Sequence, residues 1–290
     1  MSDCTVCTVN FDTDNVLKIN LDLFKNTGVR FIVTENSPFK FKGEYPWVTF
    51  IDGIKDGSME ARSPVGDYRG KPAGRFEGCL QHAVGLERAF ALVDTRWMLI
   101  LDADFFCPIN PHDMINYMDK NKIAILGAHY GTKNQHGDYQ QCHEPAINNV
   151  PLCYYTLFDL NIVQEPIYMD YRKSYTTYLL EHNKVVAPRS YTIIDAGYPI
   201  MQIAHKYRWK SFRVCFDRMC SICAEWILHT DDLYEIGLPL EKYYWNNQLV
   251  GLHIHHRSRH RTLSDRQVGH IRNLIKQITC YHPNNHYTNV

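Results

Sequence analysis

An unbroken apolar run that ends in two aspartates constrains the fold of this chain more than any other stretch. Residues 97–101 read Trp-Met-Leu-Ile-Leu, and Asp102-Ala103-Asp104 follows at once. A continuous apolar segment of this length is typical of a strand that is buried on both faces of a mainly parallel sheet. Helices cover both faces of such sheets. The run therefore predicts an α/β fold with both aspartates at the carboxyl end of a central strand.

The spacing of the two aspartates indicates a metal site. Side chains two residues apart leave an extended backbone on the same side, and ligands of open α/β sheets bind beyond the carboxyl ends of the strands. Two carboxylates there repel each other unless a cation lies between them. Mg²⁺ and Mn²⁺ prefer oxygen ligands and commonly bridge to a substrate phosphate. The plainer interpretation is that Asp102 caps a turn and Asp104 is a solvated loop residue.

The start of the chain has the pattern of a strand, a helix and a second strand. Residues 4–10 are rich in β-branched side chains, an amphipathic segment begins at Asp14, and residues 29–34 form another apolar run. A βαβ unit places a nucleotide-sized crevice at its strand ends. No Gly-x-Gly-x-x-Gly follows the first strand, which disfavours a dinucleotide-binding fold.

Apolar periodicity predicts the remaining elements. The predicted strands cover residues 47–51, 122–127, 151–160, 212–216 and 251–255, and the predicted helices cover residues 75–93 and 265–277. The last helix has the pattern of a surface helix. The first of these helices contains His82, and a histidine at such a position is more often an ordinary helix residue than a ligand.

Composition narrows the class of protein. The chain has 290 residues, 45% hydrophobic and 21% charged, which is ordinary for a globular domain with a full core. Its 31 basic and 31 acidic residues cancel, so no overall field attracts nucleic acid or a membrane surface. We see no signal sequence and no apolar run near the ~20 residues of a membrane helix. We therefore expect a cytoplasmic protein without a transmembrane segment.

The ten cysteines are scattered and several stand inside apolar runs. In a reducing compartment they are expected to be free, buried and to pack as small hydrophobic residues. Cys4/Cys7 and Cys220/Cys223 each have a Cys-x-x-Cys spacing. A zinc site that joins the two pairs is the alternative, and the wide separation disfavours it.

The pieces found so far resemble, in the same order, the GT-A-fold glycosyltransferases, especially those of the family-2 type. The Asp-x-Asp stretch is similar to the motif with which these enzymes hold a sugar nucleotide through a metal. The resemblance implies that Asp102 and Asp104 bind Mn²⁺ or Mg²⁺ and that Asp102 also contacts the donor. It further implies that Asn10, Glu35 and Asn36, at the ends of the first two strands, bind the nucleoside.

A stretch near the carboxyl terminus extends the resemblance. Residues 251–255 alternate as a strand, with His253 and His255 on one side. In this fold a late histidine often completes the metal sphere, and a loop after it closes on the diphosphate. The resemblance assigns the metal to His255, with His253 and His256 as alternatives, and the diphosphate to Arg257.

A second stretch, Ile-Asp-Ala-Gly-Tyr at residues 194–198, is similar to the place where inverting GT-A enzymes put their catalytic base. The resemblance therefore assigns that role to Asp195. An aspartate at this position can instead cap a helix that begins there, which requires no catalysis. Both interpretations stay open on the sequence alone.

The resemblance covers roughly residues 4–261 and implies a single GT-A-like, Rossmann-like α/β domain with a central, mainly parallel mixed sheet flanked by helices. Residues 1–110 would form the nucleotide-binding half, residues 111–261 the acceptor half, and residues 262–290 a helix and tail. The implied activity is metal-dependent transfer, with inversion, of a hexose or pentose from a nucleoside-diphosphate sugar. The acceptor would be a hydroxyl of a glycan, a protein or a nucleic acid.

Two other functions compete with this one. A nucleotidyltransferase also uses paired acids and Mg²⁺, but we would expect it to have a glycine-rich phosphate loop after the first strand. A nucleic-acid-binding or nucleic-acid-modifying protein could use the arginine- and histidine-rich stretch at residues 253–272, and its binding would then fall steeply with salt.

Overall fold

The computed structural model describes residues 3–38, 41, 43–55, 58–62, 78–129, 132–133, 139–140, 151–170, 200, 203, 206–207, 209–214, 240–245, 248–254 and 263–279. The strands are β1 (Cys4–Asn10), β2 (Arg30–Glu35), β3 (Val48–Asp52), β4 (Trp97–Leu101), β5 (Phe105–Phe106), β6 (Ile125–His129), β7 (Thr132–Lys133), β8 (Tyr139–Gln140), β9 (Pro151–Asp159), β10 (Trp209–Val214), β11 (Leu240–Trp245) and β12 (Gln248–Ile254). The helices are α1 (Asp14–Phe24), α2 (Gly78–Phe90), α3 (Pro111–Asn121) and α4 (Asp265–Thr279), with a 3₁₀ turn at Met59–Ala61.

Ten of these strands form one mixed sheet in the order β3-β2-β1-β4-β9-β6-β10-β11-β12-β5. Strands β3, β2, β1 and β4 are parallel neighbours. Strand β9 is antiparallel to both β4 and β6, and β10 continues parallel to β6. Six strands therefore run in one direction with β9 inserted among them, which confirms the predicted mainly parallel α/β sheet. Antiparallel pairing of β10, β11, β12 and β5 extends the sheet.

Helices cover both faces of the sheet, as the buried run at β4 requires. Helices α1 and α3 contribute to one apolar cluster with alternate residues of β1, β2 and β4, and α2 contributes to a second cluster with the intervening residues. All five residues of β4 are buried. Transfer of this apolar surface from water is the main favourable term in assembling the three layers.

Helix α4 packs closely on the rest of the domain. Its residues Ile271, Ile275 and Ile278 are buried in a third apolar cluster with α1, β5 and β12. Arg272 of α4 also pairs with Asp22 of α1 at 2.7 Å. The predicted surface helix thus has a buried apolar stripe that packs on the sheet at β5 and β12.

Several elements begin at other residues than the sequence predicted. Strand β3 begins at Val48 and β6 at Ile125, rather than at residues 47 and 122, whereas α1 begins at Asp14 as expected, with Thr13 as its N-cap residue. The sequence pattern did not predict β5, α3 or β11. Helix α3 carried a usable signal, because Asn110 precedes proline and its side chain accepts a hydrogen bond from the His112 N–H, as an N-cap does.

The carboxyl ends of the parallel strands meet at one edge of the sheet. In the register, Asn10 of β1 lies opposite Glu35 of β2, and Glu35 lies opposite Asp52 of β3. Strand β4 pairs with β1 from its first residue, so the chain reaches Asp102 near the end of β1. Four strands therefore deliver polar residues to a common edge.

The cysteines of β1 point to opposite faces of the sheet. Cys4 packs in the cluster beneath α1, and Cys7 in the cluster beneath α2. A shared zinc ion is incompatible with that arrangement, whereas Cys220 and Cys223 lie outside the described residues. The thiols of Cys4, Cys7 and Cys107 are buried. In the part of the chain that the structure describes, no helix has the length and apolarity needed to cross a membrane.

Two glycines provide a matched test of the packing at the strand ends. A Cβ at Gly53 would lie 1.9 Å from Asn36 Oδ1 and 2.8 Å from the Glu35 carbonyl oxygen, whereas a Cβ at Gly269 of α4 meets nothing within 4 Å. Gly53→Ala should therefore lower the free energy of unfolding by about 1–3 kcal/mol or more. Gly269→Ala should raise it by about 0.5–1 kcal/mol. Urea unfolding measures both, and equal effects would contradict the packing.

Buried cysteines should be chemically inert in the folded chain. Burial raises the pKa of the Cys4 and Cys107 thiols to about 12 and raises that of Cys7 as well. Thiolates are the reactive form, so these residues should resist iodoacetamide at pH 8 and react once the chain is unfolded. Peptide mass spectrometry reads each site separately. Because only the unfolded thiols ionise near 9, this contribution to stability is present below pH 9 and is lost as pH rises towards 12.

Candidate metal centre

Two carboxylates and one imidazole converge at the carboxyl edge of β4. Asp102, Asp104 and His253 each offer a ligand atom, and these atoms all lie within 4.8 Å of one another. The aspartates follow β4 directly, and the antiparallel pairing of β12 with β5 sets His253 opposite Phe105. The sequence placed both aspartates here correctly, while the contribution of β12 depends on a pairing between segments far apart in the chain.

The loop that carries the aspartates is fixed by its backbone. Its hydrogen bonds run from Asp102 N to Tyr154 O (2.8 Å), from Phe105 N to Asp102 O (3.1 Å), from Ile254 N to Asp104 O (3.1 Å) and from Asn20 Nδ2 to Ala103 O (2.9 Å). Contacts from β9, β12 and α1 thus converge on three residues. The two carboxylates are presented by a rigid turn, which reduces the ordering needed to bind a ligand.

His253 is held in one orientation by aromatic neighbours. The residue is buried, its ring stacks on Tyr154 with centroids 4.0 Å apart, and Phe105 lies at 6.2 Å. Its Nε2 atom is 3.4 Å from Oδ1 of Asp104. The aromatic strand at residues 151–160 thus has a mixed role, because Tyr155 and Phe158 fill the core while Tyr154 supports the site.

A second histidine, which the sequence analysis treated as an ordinary helix residue, lies beside Asp102. Nε2 of His82 on α2 is 3.2 Å from Oδ1 of Asp102, with the two side chains 18% and 20% exposed. The ring N–H is not aligned with that oxygen, and this buried nitrogen has no hydrogen-bond partner among the residues the structure describes. The contact was missed because it depends on the packing of α2 on β1 and β2, which brings His82 to the loop after β4.

Asn10 and Glu35 form a buried network at the ends of β1 and β2. Nδ2 of Asn10 donates to Glu35 Oε2 and to Asp14 Oδ1, each at 2.9 Å. The other oxygen of Glu35 accepts from the Ser37 N–H at 2.9 Å. One amide therefore holds two carboxylates at this edge. Their predicted role as nucleoside contacts stays a prediction.

Asn36 connects three elements through its side chain. Its Oδ1 accepts from the Ile54 N–H at 2.8 Å, and its Nδ2 donates to the Gln81 carbonyl at 3.0 Å. Its backbone N–H donates to the Asn10 carbonyl at 2.9 Å. This buried residue ties the ends of β1, β3 and α2 together, and its predicted contact with a nucleoside likewise stays a prediction.

Other predicted site residues lie outside the described part of the chain. They are the assigned base Asp195, the metal ligand His255 with its alternative His256, and the diphosphate contact Arg257. Their roles stay predictions, as does nucleic-acid binding by the stretch that contains Arg257. Of the histidines considered for the metal, His253 is the one that the described residues bring to the aspartates.

The donor set fits a divalent cation. Two carboxylates supply the hard oxygen ligands that Mg²⁺ and Mn²⁺ take, and they lower the net charge of a bound cation. Carboxylates suit Mg²⁺ and Mn²⁺ alike, and an imidazole ligand moves the preference away from Mg²⁺ towards transition metals. Without a cation, the proximity of Asp102 and Asp104 costs electrostatic repulsion.

No protein-family model and no curated protein sequence matches this chain. Among solved structures, it is similar to an active-site mutant of LgtC, with a TM-score of 0.51, 13% identity and coverage of 97% of this chain and 98% of that one. Galactosyltransferase LgtC in complex with donor and acceptor sugar analogues matches at a TM-score of 0.46, 13% identity and the same coverage. The 4-diphosphocytidyl-2C-methyl-D-erythritol synthase of Anaerococcus prevotii matches at 0.35 and 9% identity, over 72% of this chain and 88% of that one.

The match to the LgtC mutant shows the fold. This chain has the GT-A-like, Rossmann-like α/β architecture that the sequence predicted. Identity of this order says nothing further about substrate or activity, because one fold supports many functions. The two matches with TM-scores below 0.5 support no conclusion.

Asp104→Asn tests the metal centre directly. Asparagine has the same shape but no charge, so Mn²⁺ affinity measured by calorimetry should fall by more than the about 10–100-fold typical of residues that only orient a ligand. The melting temperature without metal should not fall, because removal of one charge relieves repulsion with Asp102. Asp94→Asn is the control, since Asp94 lies at the other end of β4 in an exposed ion pair with Arg30. Unchanged affinity in Asp104→Asn would remove the site.

The same measurement decides which histidine binds the metal. His253→Gln and His255→Gln should differ in their affinity for Mn²⁺, and the variant that loses affinity identifies the ligand. His256→Gln is the control, because the alternating sequence pattern predicts that residue 256 faces the side opposite to His253 and His255. If none of the three variants loses affinity, none of these three histidines binds the metal.

Proposed function

We propose that this protein is a metal-dependent glycosyltransferase that moves a sugar from a nucleoside-diphosphate sugar to an acceptor hydroxyl. The observation on which the proposal rests is the convergence of Asp102, Asp104 and His253 at the carboxyl edge of a GT-A-like sheet. Ligands of α/β sheets bind at this edge. Paired carboxylates and a buried imidazole at the same place suit a cation that accompanies a diphosphate.

The order of the strands supports an extended donor. Strand β1, which ends at Asn10, is next to β4, and β2, which ends at Glu35, is one strand further. With neighbouring strands about 5 Å apart, these polar residues lie about 5 and 10 Å along the edge from the aspartates. A ligand with a nucleoside at one end and a diphosphate at the other fits that separation.

The residues of the site would bind different parts of the donor. Asp102, Asp104 and His253, or His255, would hold Mn²⁺ or Mg²⁺, and Asn10 and Glu35 would orient the nucleoside. A bound divalent cation supplies Lewis-acid stabilisation for a diphosphate leaving group. Arg257 would place positive charge beside the same diphosphate, where charge develops during transfer.

Inversion and the acceptor complete the proposal. Asp195 would accept the proton of the attacking hydroxyl in a direct displacement, so the product would have the opposite anomeric configuration to the donor. The acceptor would be a glycan, a protein or a nucleic acid, and the transferred group a hexose or pentose. A cytoplasmic location fits the buried thiols of Cys7 and Cys107.

A stabilisation screen tests the donor class. Nucleotide sugars with Mn²⁺ should raise the melting temperature, because a ligand at 100 times its dissociation constant adds about 2.7 kcal/mol to the free energy of unfolding. The effect should require Mn²⁺ and should disappear in Asp104→Asn. Stabilisation by a nucleoside triphosphate with a sugar phosphate, and not by nucleotide sugars, would favour a nucleotidyltransferase instead.

Asp195→Asn tests the catalytic base. Asparagine caps a helix about as well as aspartate, so a capping role forecasts a silent substitution. A base cannot be replaced by an amide, and its loss should lower turnover by about 10²–10⁴-fold while melting temperature and donor affinity stay unchanged. NMR of the product reads the anomeric configuration. A fully active Asp195→Asn enzyme, or retention of configuration, would remove Asp195 from the mechanism.

A further inference from the structure

The imidazole of His82 is a polar group at the metal centre that the proposed function does not use. Its Nε2 atom is buried, lies 3.2 Å from Oδ1 of Asp102 and has no hydrogen-bond partner in the described chain. Buried polar atoms are almost always paired, so each exception requires a physical reason. His82 is also not one of the three residues whose ligand atoms lie within 4.8 Å of one another.

We propose that His82 is a positioning residue of the metal centre, which orients the Asp102 carboxylate through its Nε2–H. The role assigned to His82 rests on the proposed function, because it presumes that Asp102 binds a cation. Residues that hydrogen-bond a metal ligand fix its orientation and raise the affinity of the site. Until a cation fixes Asp102, the donor and the carboxylate are close but poorly aligned, and such contacts commonly tighten when the ligand binds.

The two histidines take different positions around the two carboxylates. His253 lies beside Asp104 at 3.4 Å on β12, and His82 lies beside Asp102 at 3.2 Å on α2. A carboxylate has two oxygens, so one held by an N–H leaves the other for the cation. The arrangement gives Asp102 a fixed orientation without adding a ligand.

The start of α2 is rigid enough to hold the ring in place. Gln81, the neighbour of His82, donates from Nε2 to the Ile54 carbonyl at 3.0 Å. One turn later, the Gly85 carbonyl accepts from Thr34 Oγ1 at 2.7 Å. A Cβ at Gly85 would lie 3.0 Å from Val9, so the helix is pressed against β1. Only the His82 ring must turn to complete the hydrogen bond.

Three substitutions separate the Nε2–H from the rest of the side chain. Glutamine places an amide N–H near the position of Nε2, asparagine reaches only as far as Nδ1, and leucine fills the space without a donor. The probe is Mn²⁺ alone, titrated calorimetrically into the full chain. His82→Leu and His82→Asn should lose about 10–100-fold in Mn²⁺ affinity, and His82→Gln should stay close to the wild type.

The metal-free melting temperature separates positioning from a structural role. His82→Leu should match or exceed the wild type, because it removes a buried donor that has no partner. Equal loss of Mn²⁺ affinity in all three variants, or no loss in any, would overturn the proposal. His112→Leu is the control, since His112 lies 3.8 Å from Asp3 at the opposite end of the sheet and should leave affinity unchanged.

Two further outcomes are distinguishable. If the wild type does not bind Mn²⁺, the proposed function fails at its first step and the role of His82 fails with it. If the wild type binds and His82→Leu binds equally well, only the role of His82 is wrong. Electron spin echo spectroscopy of bound Mn²⁺ counts directly coordinated nitrogen, and His82→Gln should leave that signal unchanged. Loss of a nitrogen signal in this variant would show that His82 is a ligand and overturn the positioning role.

Discussion

The hydrogen bond from the Asp102 N–H to the Tyr154 carbonyl is the contact on which the candidate metal centre depends. It is the last step of the ladder between β4 and β9, and the chain turns immediately after it. Because β4 is buried on both faces, its end cannot shift without disturbing two apolar clusters. The position of the carboxylates is thus set by core packing, which makes the site rigid.

Helix α2 joins the two ends of the proposed donor site. Near its start it contacts Asn36 and Ile54 at the ends of β2 and β3, and through His82 it reaches Asp102 after β4. The polar residues at the ends of β2 and β3 and the aspartates after β4 are therefore linked by one short rigid helix. A substitution that moves α2 should disturb both groups of residues together, even though no residue of the helix was assigned a catalytic role.

The sequence predicted those features that depend on local pattern. The apolar run of β4 and the acids after it have few other interpretations, so the sheet and the position of Asp102 and Asp104 could be foreseen. The direction of β9 could not, because a strand that is buried inside a sheet can be apolar whether its neighbours run parallel or antiparallel to it. Nor could alternation choose between His253 and His255, which the sequence pattern assigns to the same side of a strand. The contact of His82 depends on how α2 packs on β1 and β2, which no local pattern encodes.

Helix α4 has a consequence for the order in which the protein matures. Its isoleucines pack on Leu252 and Ile254, the residues on either side of His253, and Asn15 of α1 bonds to the Leu263 carbonyl across 248 positions of sequence. Contacts so distant in sequence form late, since a long loop must close first. On the ribosome, Asn10 and Glu35 are synthesised long before α4, whereas the imidazole beside Asp104 is secured only after α4 emerges. A nascent chain would therefore complete the candidate metal centre only after α4 has been synthesised.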